Sequence, residues 1–282
     1  MIILKSSGLY TSIQDLGRFG HRASGVPVSG AMDLISARTA NILVDNKPGA
    51  AVLEITLQGP VLFFEMDTLF AITGAGFSPS VDTVPIPMNK VVMIKSGSML
   101  RFGNAKYGVR AYLAVSGGFV ASNKLGSVSM CKHITPKERL LKGAVLRCTS
   151  TTEMSKIKTI ENDVTLFTET QLDVYPGPEF ETLSIAEKEK LLSTTFIVSR
   201  DSNRMAYKLN GLEGIQVSEI ITAPVQPGTV QLMPSGLCAV LMRDGQTTGG
   251  YARVLQLSDR AICVLSQKRA GSVVSFRIKN LF

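Results

Sequence analysis

A mainly β protein is what this sequence predicts, on three observations. Short apolar runs recur along the chain, each closed off by glycine, proline or polar turn residues, which is the punctuation of strands. A helical period appears in only a few segments. Hydrophobic residues make up 45% of the 282 positions and charged residues 18%, enough apolar surface to fill one large core or two ordinary ones. Together these point to β-rich barrel or sandwich lobes with a few short helices.

In chain order, a short strand leads into a glycine-rich stretch at 11–33. "GAMDLISARTANILVD" (30–45) then places Met32, Ile35, Ala40 and Leu43 on roughly one helical face. Strands are predicted at "AVLEITL" (51–57), "VLFFEM" (61–66), "TLFAITG" (68–74), "KVVMIKS" (90–96), "SMLRFG" (98–103) and "VRAYLAVSG" (109–117). The polar, aperiodic "STTEMSKIKTIEND" (150–163) reads as a boundary or crossing linker, dividing the chain into a lobe at 1–150 and a lobe at 164–282. The second lobe offers strands at "VTLFTE" (164–169), "LDVYPG" (172–177), "TFIVS" (195–199), "TVQLM" (229–233), "AVLMRD" (239–244), "AICVLSQ" (261–267) and "VVSFRI" (273–278). "SIAEKEKLLS" (184–193) opens with Ser184 and carries Glu187 three residues on, a capping box for a helix. A further helix is predicted at "DSNRMAYKLNG" (201–211), with Asp201 or Ser202 as cap and Gly211 as stop.

Composition excludes several functions. The net charge is +8, but the basic residues are scattered, tryptophan is absent and no basic cluster is interleaved with aromatics. That favours small anionic molecules over nucleic acid as partners. Cys131, Cys148, Cys238 and Cys263 are far apart with no CxxC pairing, so free thiols are expected, without a zinc site or redox dithiol. With only His21 and His133, no metal site and no Ser-His-Asp triad is expected. The N-terminal apolar run is too short for a signal peptide, and "VLFFEMDTLFAITGAGF" (61–77) is broken by Glu65 and Asp67. The expectation is a cytoplasmic protein with no membrane contact. No GxxxxGK[ST] loop occurs, and "GAGFSP" (74–79) lacks the third glycine of a dinucleotide fingerprint. ATP chemistry here would need another polypeptide or an unfamiliar nucleotide site.

Three polar, glycine-rich islands interrupt the apolar strands. The first, 11–33, holds Gln14, Asp15, Arg18, His21, Arg22, Gly30 and Asp33. It is either a long connection needing positive φ or a ligand-lining loop. The second, "LMRDGQTTGGYARV" (241–254), offers the Gln246 amide, the Thr247 and Thr248 hydroxyls and the N–H groups of Gly249 and Gly250 to a carbonyl or anionic oxygen. Its alternative is a hairpin turn, since Asp244-Gly245 and Gly249-Gly250 are common turn pairs. In the third, 198–211, Arg204 suits a carboxylate or phosphate, or a structural ion pair. Gln231 in "VQPGTVQL" (225–232) is a polar residue early in a strand, where an inward side chain would face a cavity. The islands together predict one shared cleft.

Several blocks resemble the allophanate hydrolase subunit 2 family, also called the biotin-dependent carboxyltransferase family: "QDLGRFG" (14–20), "GVPVSGAMD" (25–33), "AVLEITLQGP" (51–60), "TGA" (73–75), "RAYLAVSGGF" (110–119), "LGS" (125–127), "DSNRMAYKLNG", "PGTVQL" (227–232) and "DGQTTGGY" (244–251). The family includes the C component of ATP-dependent 5-oxoprolinases and an antikinase partner protein. The resemblance implies cyclophilin-like β-barrel lobes and a working unit formed with a sister polypeptide of the 5-oxoprolinase B or allophanate hydrolase 1 type, together with the 5-oxoprolinase A component. No Ala-Met-Lys-Met biotin-attachment motif occurs, so no biotin is expected on this chain. Val128 and Met130 replace polar family residues after "LGS", which implies a lost contact in that loop, while Ala206 and Ala252 depart from a usual glycine and proline.

The function implied is that of one part of a multi-component enzyme: ATP-dependent opening of the 5-oxoproline lactam to L-glutamate, with ATP shared among the components. Arg18 and Arg204 would hold carboxylate or phosphate oxygens. Gln246, Thr247 and Thr248 would act beside them, with Gln14, Asp15, Gly30, Asp33, Gln231, Gly249 and Gly250 contacting substrate. The alternatives are an antikinase-type regulatory binding partner and the carboxyltransferase half of a urea-carboxylase-like enzyme served by a separate biotinylated protein.

Overall fold

The runs at 52–56, 68–74 and 110–115 are buried on both faces, which is why they read as continuous apolar stretches and not as alternating ones. They form the middle of a five-stranded antiparallel sheet in the order Tyr10–Gln14, Val52–Thr56, Arg110–Val115, Thr68–Gly74, Val91–Ile94. One face sends Leu53, Ile55, Phe70, Ile72 and Leu113 into a core with Ile2, Leu4, Leu62, Phe64 and Leu100 of a seven-stranded sheet. The other packs Leu69, Ala71, Tyr112 and Ala114 against Ala37, Ala40 and Leu43 of helix α1 (Leu34–Leu43), the first predicted helix. Asp33 is its N-cap, accepting from the Ser36 N–H at 3.0 Å. Asp33→Ala is therefore expected to cost about 1 kcal/mol in urea unfolding; an unchanged midpoint would show that packing alone sets the helix start.

The structure, a computed structural model, describes residues 1–149, 159–161, 163–215 and 217–279. Its contacts form two units, Met1–Arg18 with Ser29–Val164, and Phe19–Val28 with Thr165–Phe282. Of the linker expected at 150–163, residues 150–158 and 162 lie outside the described residues.

The second unit is a closed seven-stranded barrel. Its strands run Gln171–Pro176, Ala252–Leu257, Thr229–Leu232, Cys238–Leu241, Ala206–Asn210, Phe196–Val198, Val273–Ile278, and the last pairs in parallel with the first. Closure removes the free sheet edges. Leu172, Val174, Phe196, Leu209, Val230, Val240, Val254 and Phe276 are buried, with the Phe196 and Phe276 rings 5.0 Å apart. The barrel expected from the resemblance thus closes here, while the first unit carries its strands in two sheets.

Helix α3 (Ile185–Ser193) has the predicted capping box of Ser184 and Glu187. Three other predicted elements change type. Residues 165–168 form a single helical turn, α2 (Thr165–Thr168), in which only Leu166 is buried, instead of a strand. "AICVLSQ" lies in helix α4 (Asp259–Ser266), capped by Ser258, whose hydroxyl accepts from the Ala261 N–H. A short apolar run satisfies either period, and the cap decided it. "DSNRMAYKLNG" is a turn followed by the strand Ala206–Asn210, because Tyr207 and Leu209 alternate into the barrel and Ser202 bonds the Lys208 N–H instead of capping a helix. Among the described residues no helix is long and apolar enough to cross a membrane.

Candidate functional site

In the first unit, the end of the strand Tyr10–Gln14 is polar because it grips a neighbouring loop. Asp15 accepts from the Gly17 and Val128 N–H groups, both at 2.8 Å, and from the hydroxyls of Ser127 and Ser129. Arg18, wholly buried, donates from Nε to Lys124 O (3.0 Å) and from Nη2 to Ser129 O (2.6 Å). Gln14 donates to Ser12 Oγ and Met130 O. These contacts use the backbone at Val128 and Met130. Gly30, at φ 91°, lies so close to Leu16 and Gly17 that a Cβ would sit 2.9 Å from their backbone atoms. The Arg18 guanidinium, expected from the sequence to hold an anion, has no solvent exposure; its Nε and Nη2 are engaged with carbonyls of the 124–129 loop, while Nη1 is buried without a hydrogen-bond partner among the described residues. Asp33 likewise serves the helix start.

Beneath that start lies a cluster the sequence reading missed. Glu54 Oε2 accepts from the Met32 N–H (2.8 Å) and the Tyr112 hydroxyl (2.9 Å), whose oxygen accepts from the Asp33 N–H (2.8 Å). Arg110 Nε stands 3.7 Å from Glu54 Oε1. All are buried, and burial followed by the Glu54 charge pushes the Tyr112 hydroxyl well above its ordinary pKa, keeping it a neutral donor. The signal was a lone carboxylate in "AVLEITL", a strand otherwise apolar.

In the second unit, Arg204 donates from Nε to Asp244 Oδ2 (2.7 Å) and from Nη2 to Asp244 Oδ1 (3.0 Å), a bidentate pair with both side chains nearly buried. Of the two readings left open, the structural ion pair is the one found. The pair also fixes the backbone here, where Asp244 N–H bonds Arg204 O and Met242 N–H bonds Met205 O. Gln231, buried in the barrel wall, accepts from Gln246 Nε2 at 3.5 Å and donates to Tyr251 O at 3.4 Å. Gly249 lies close beside it: a Cβ there would sit 2.4 Å from Gln231 Nε2 and displace that side chain. Thr248–Gly249 pairs with Ala223–Pro224, while Thr247 O and Gly250 O accept from Val225 and Ile220. The second island is therefore a short β-ribbon that brings Gln246 to Gln231. Across the ladder from Gln231, Arg253 clasps Glu179 and its hydrogen bonds hold that carboxyl below the usual range.

The same unit contains a cavity of about 510 Å³. Its wall combines Phe19, Arg22 and Val28 of the first island with Tyr175, Gln226, Arg243, Gln256 and Asp259, among others. The 19–28 segment reaches it through a single 3-10 turn at Arg22–Ser24, ended by Gly25 at φ 77°. His21 is not among the wall residues, and neither are Arg18, Arg204 or the 246–250 ribbon. Arg243 was overlooked, although it directly precedes the Asp244 that Arg204 holds. All four cysteines are unbridged, and burial pushes the Cys238 thiol up to about 12, away from a reactive thiolate.

Residues 24–278 match the family model of the carboxyltransferase domain, subdomain A and B. The chain is 33% identical over 282 residues to the C component of the 5-oxoprolinase of Escherichia coli (strain K12), covering 98% of this chain and 90% of that protein. The crystal structure of TTHA0988 superposes with a TM-score of 0.90 at 32% identity over 98% of this chain, which spans 55% of its length. The urea carboxylase of Kluyveromyces lactis superposes with a TM-score of 0.86 at 27% identity, again over 98% of this chain but 27% of the larger one. This chain belongs to the carboxyltransferase domain, subdomain A and B, family.

Proposed function

We propose that the chain is the C component of an ATP-dependent 5-oxoprolinase, a cytoplasmic enzyme assembled with A and B components. The observation that carries this reading is the near end-to-end likeness to the E. coli 5-oxoprolinase component. The chemistry needs several polypeptides. An unstrained lactam is a poor electrophile, so the γ-phosphoryl group of ATP is transferred to its carbonyl oxygen. Water then adds at that carbon, the ring C–N bond breaks with a proton going to nitrogen, and a second water releases phosphate from the acyl phosphate. This chain has no glycine-rich phosphate loop, so ATP is held with the partner polypeptides. Its own part is to orient the substrate, while the neutral donors expected at Gln246, Thr247, Thr248 and the Gly249 and Gly250 amides lie outside the wall of the cavity described above. Arg204 enters as a positioning residue, holding Asp244 and through it the turn after the strand Cys238–Leu241 that carries Arg243.

The test is glutamate formation from 5-oxoproline and ATP by this chain with its cognate A and B components, repeated with each one omitted. Glutamate is expected from the complete mixture alone. A silent mixture of co-purifying components would overturn the proposal. The likeness to urea carboxylase supports a second reading, a carboxyltransferase half, which then gains if a biotinylated protein restores turnover.

A further inference from the structure

We infer that the 510 Å³ cavity of the barrel unit is the binding site for a small carboxylate whose body carries an amide, with Arg22 and Arg243 gripping the carboxylate. The inference deepens the 5-oxoprolinase reading and rests on it only for the ligand's identity; the site itself is argued from the cavity wall.

Arg22 is half-buried, yet among the described residues its guanidinium makes no hydrogen bond and no ion pair. A partly desolvated cation without an anion is costly, and an incoming carboxylate relieves that cost through charge-assisted bonds. Arg243 is 7% exposed and lines the same cavity, so its charge is held in place before any ligand arrives. Asp259 also lines the cavity, with no ion pair among the described residues, so its negative charge disfavours a phosphate dianion more than a singly charged carboxylate. The Tyr175 hydroxyl and the Gln226 side-chain amide have no hydrogen-bonding partner among the described residues, leaving a donor and an amide edge for the polar rim of a lactam. Phe19, 67% exposed, adds an aromatic side chain to the wall. The volume lies within the range of small-molecule sites, about 300–1,000 Å³.

The experiment is calorimetric titration of the full chain, alone and as the complex with the A and B components, with 5-oxoproline, L-proline, 2-pyrrolidinone and inorganic phosphate. The same titrations are run on Arg22→Gln. 5-Oxoproline is expected to bind at least about tenfold more tightly than 2-pyrrolidinone, which lacks the carboxylate, and more tightly than L-proline, which lacks the lactam carbonyl. Arg22→Gln is expected to lose at least about tenfold in 5-oxoproline affinity with an unchanged thermal midpoint, because Arg22 has no side-chain partner to lose among the described residues. Unchanged affinity in Arg22→Gln, tighter binding of phosphate than of any carboxylate, or no carboxylate binding by either form overturns the inference. If the complete enzyme makes glutamate while Arg22→Gln binds and turns over normally, the site fails and the functional reading stands. If Arg22-dependent binding holds without glutamate formation, the reverse is true.

Discussion

Glu54→Ala is expected to lower the unfolding free energy of the first unit by about 3–5 kcal/mol, the usual consequence of removing one partner from a buried charged cluster. The carboxylate has no solvent exposure and receives both the Met32 N–H and the Tyr112 hydroxyl, so its loss strips acceptors from two buried donors. It also deprives Arg110 of the negative charge 3.7 Å away. The damage reaches α1, because the Met32 and Asp33 N–H groups that precede the helix are tied to this cluster. Glu54→Gln keeps one acceptor oxygen and should cost less, about 1–3 kcal/mol. Urea unfolding followed by far-UV circular dichroism measures both. An alanine variant with a wild-type midpoint would mean that water fills the site and that the cluster contributes little.

Arg204→Ala is expected to destabilise the barrel unit by about 3 kcal/mol, since it leaves Asp244 nearly buried without its cation. Asp244→Ala should cost a similar amount for the mirror reason. The double variant is the informative one, because neither group then remains as an uncompensated charge. Its cost should fall short of the sum of the singles by about 1–3 kcal/mol. Strict additivity in this cycle would refute the clamp and return Arg204 to the pool of groups open to an external anion. The same clamp predicts that both single variants weaken 5-oxoproline binding without touching the ligand, because Arg243 is carried on the backbone that the pair fixes.

Legibility in the sequence followed the range of the interaction. Helices α1 and α3 were readable because each is announced within four residues of its start, by Asp33 bonding Ser36 and by Ser184 with Glu187. Helix α4 was misread although Ser258 caps it in the same way, since the apolar run that follows fits a strand equally well. The strand Ala206–Asn210 was misread because its pairing with Cys238–Leu241, about thirty residues further on, overrides a local pattern that looks like a capped helix. The polar islands were also legible as places where apolar patterning breaks. Their chemistry was not, because what a polar residue does depends on what faces it.

The sequence by itself determined that the chain is mainly β, which family it resembles and where its polar segments lie, because strand alternation, caps and motif blocks are written in residues close together. The tertiary structure alone decided the partners. Arg18 is spent on carbonyls more than a hundred positions away, Arg204 on Asp244 forty positions away, and the segment 19–28 lies with the barrel unit while its flanks belong to the first. A charged side chain carries the same local signal whether it meets a carbonyl, a carboxylate or a ligand. Only the folded chain, by bringing distant residues within about 3 Å of each other, tells these apart.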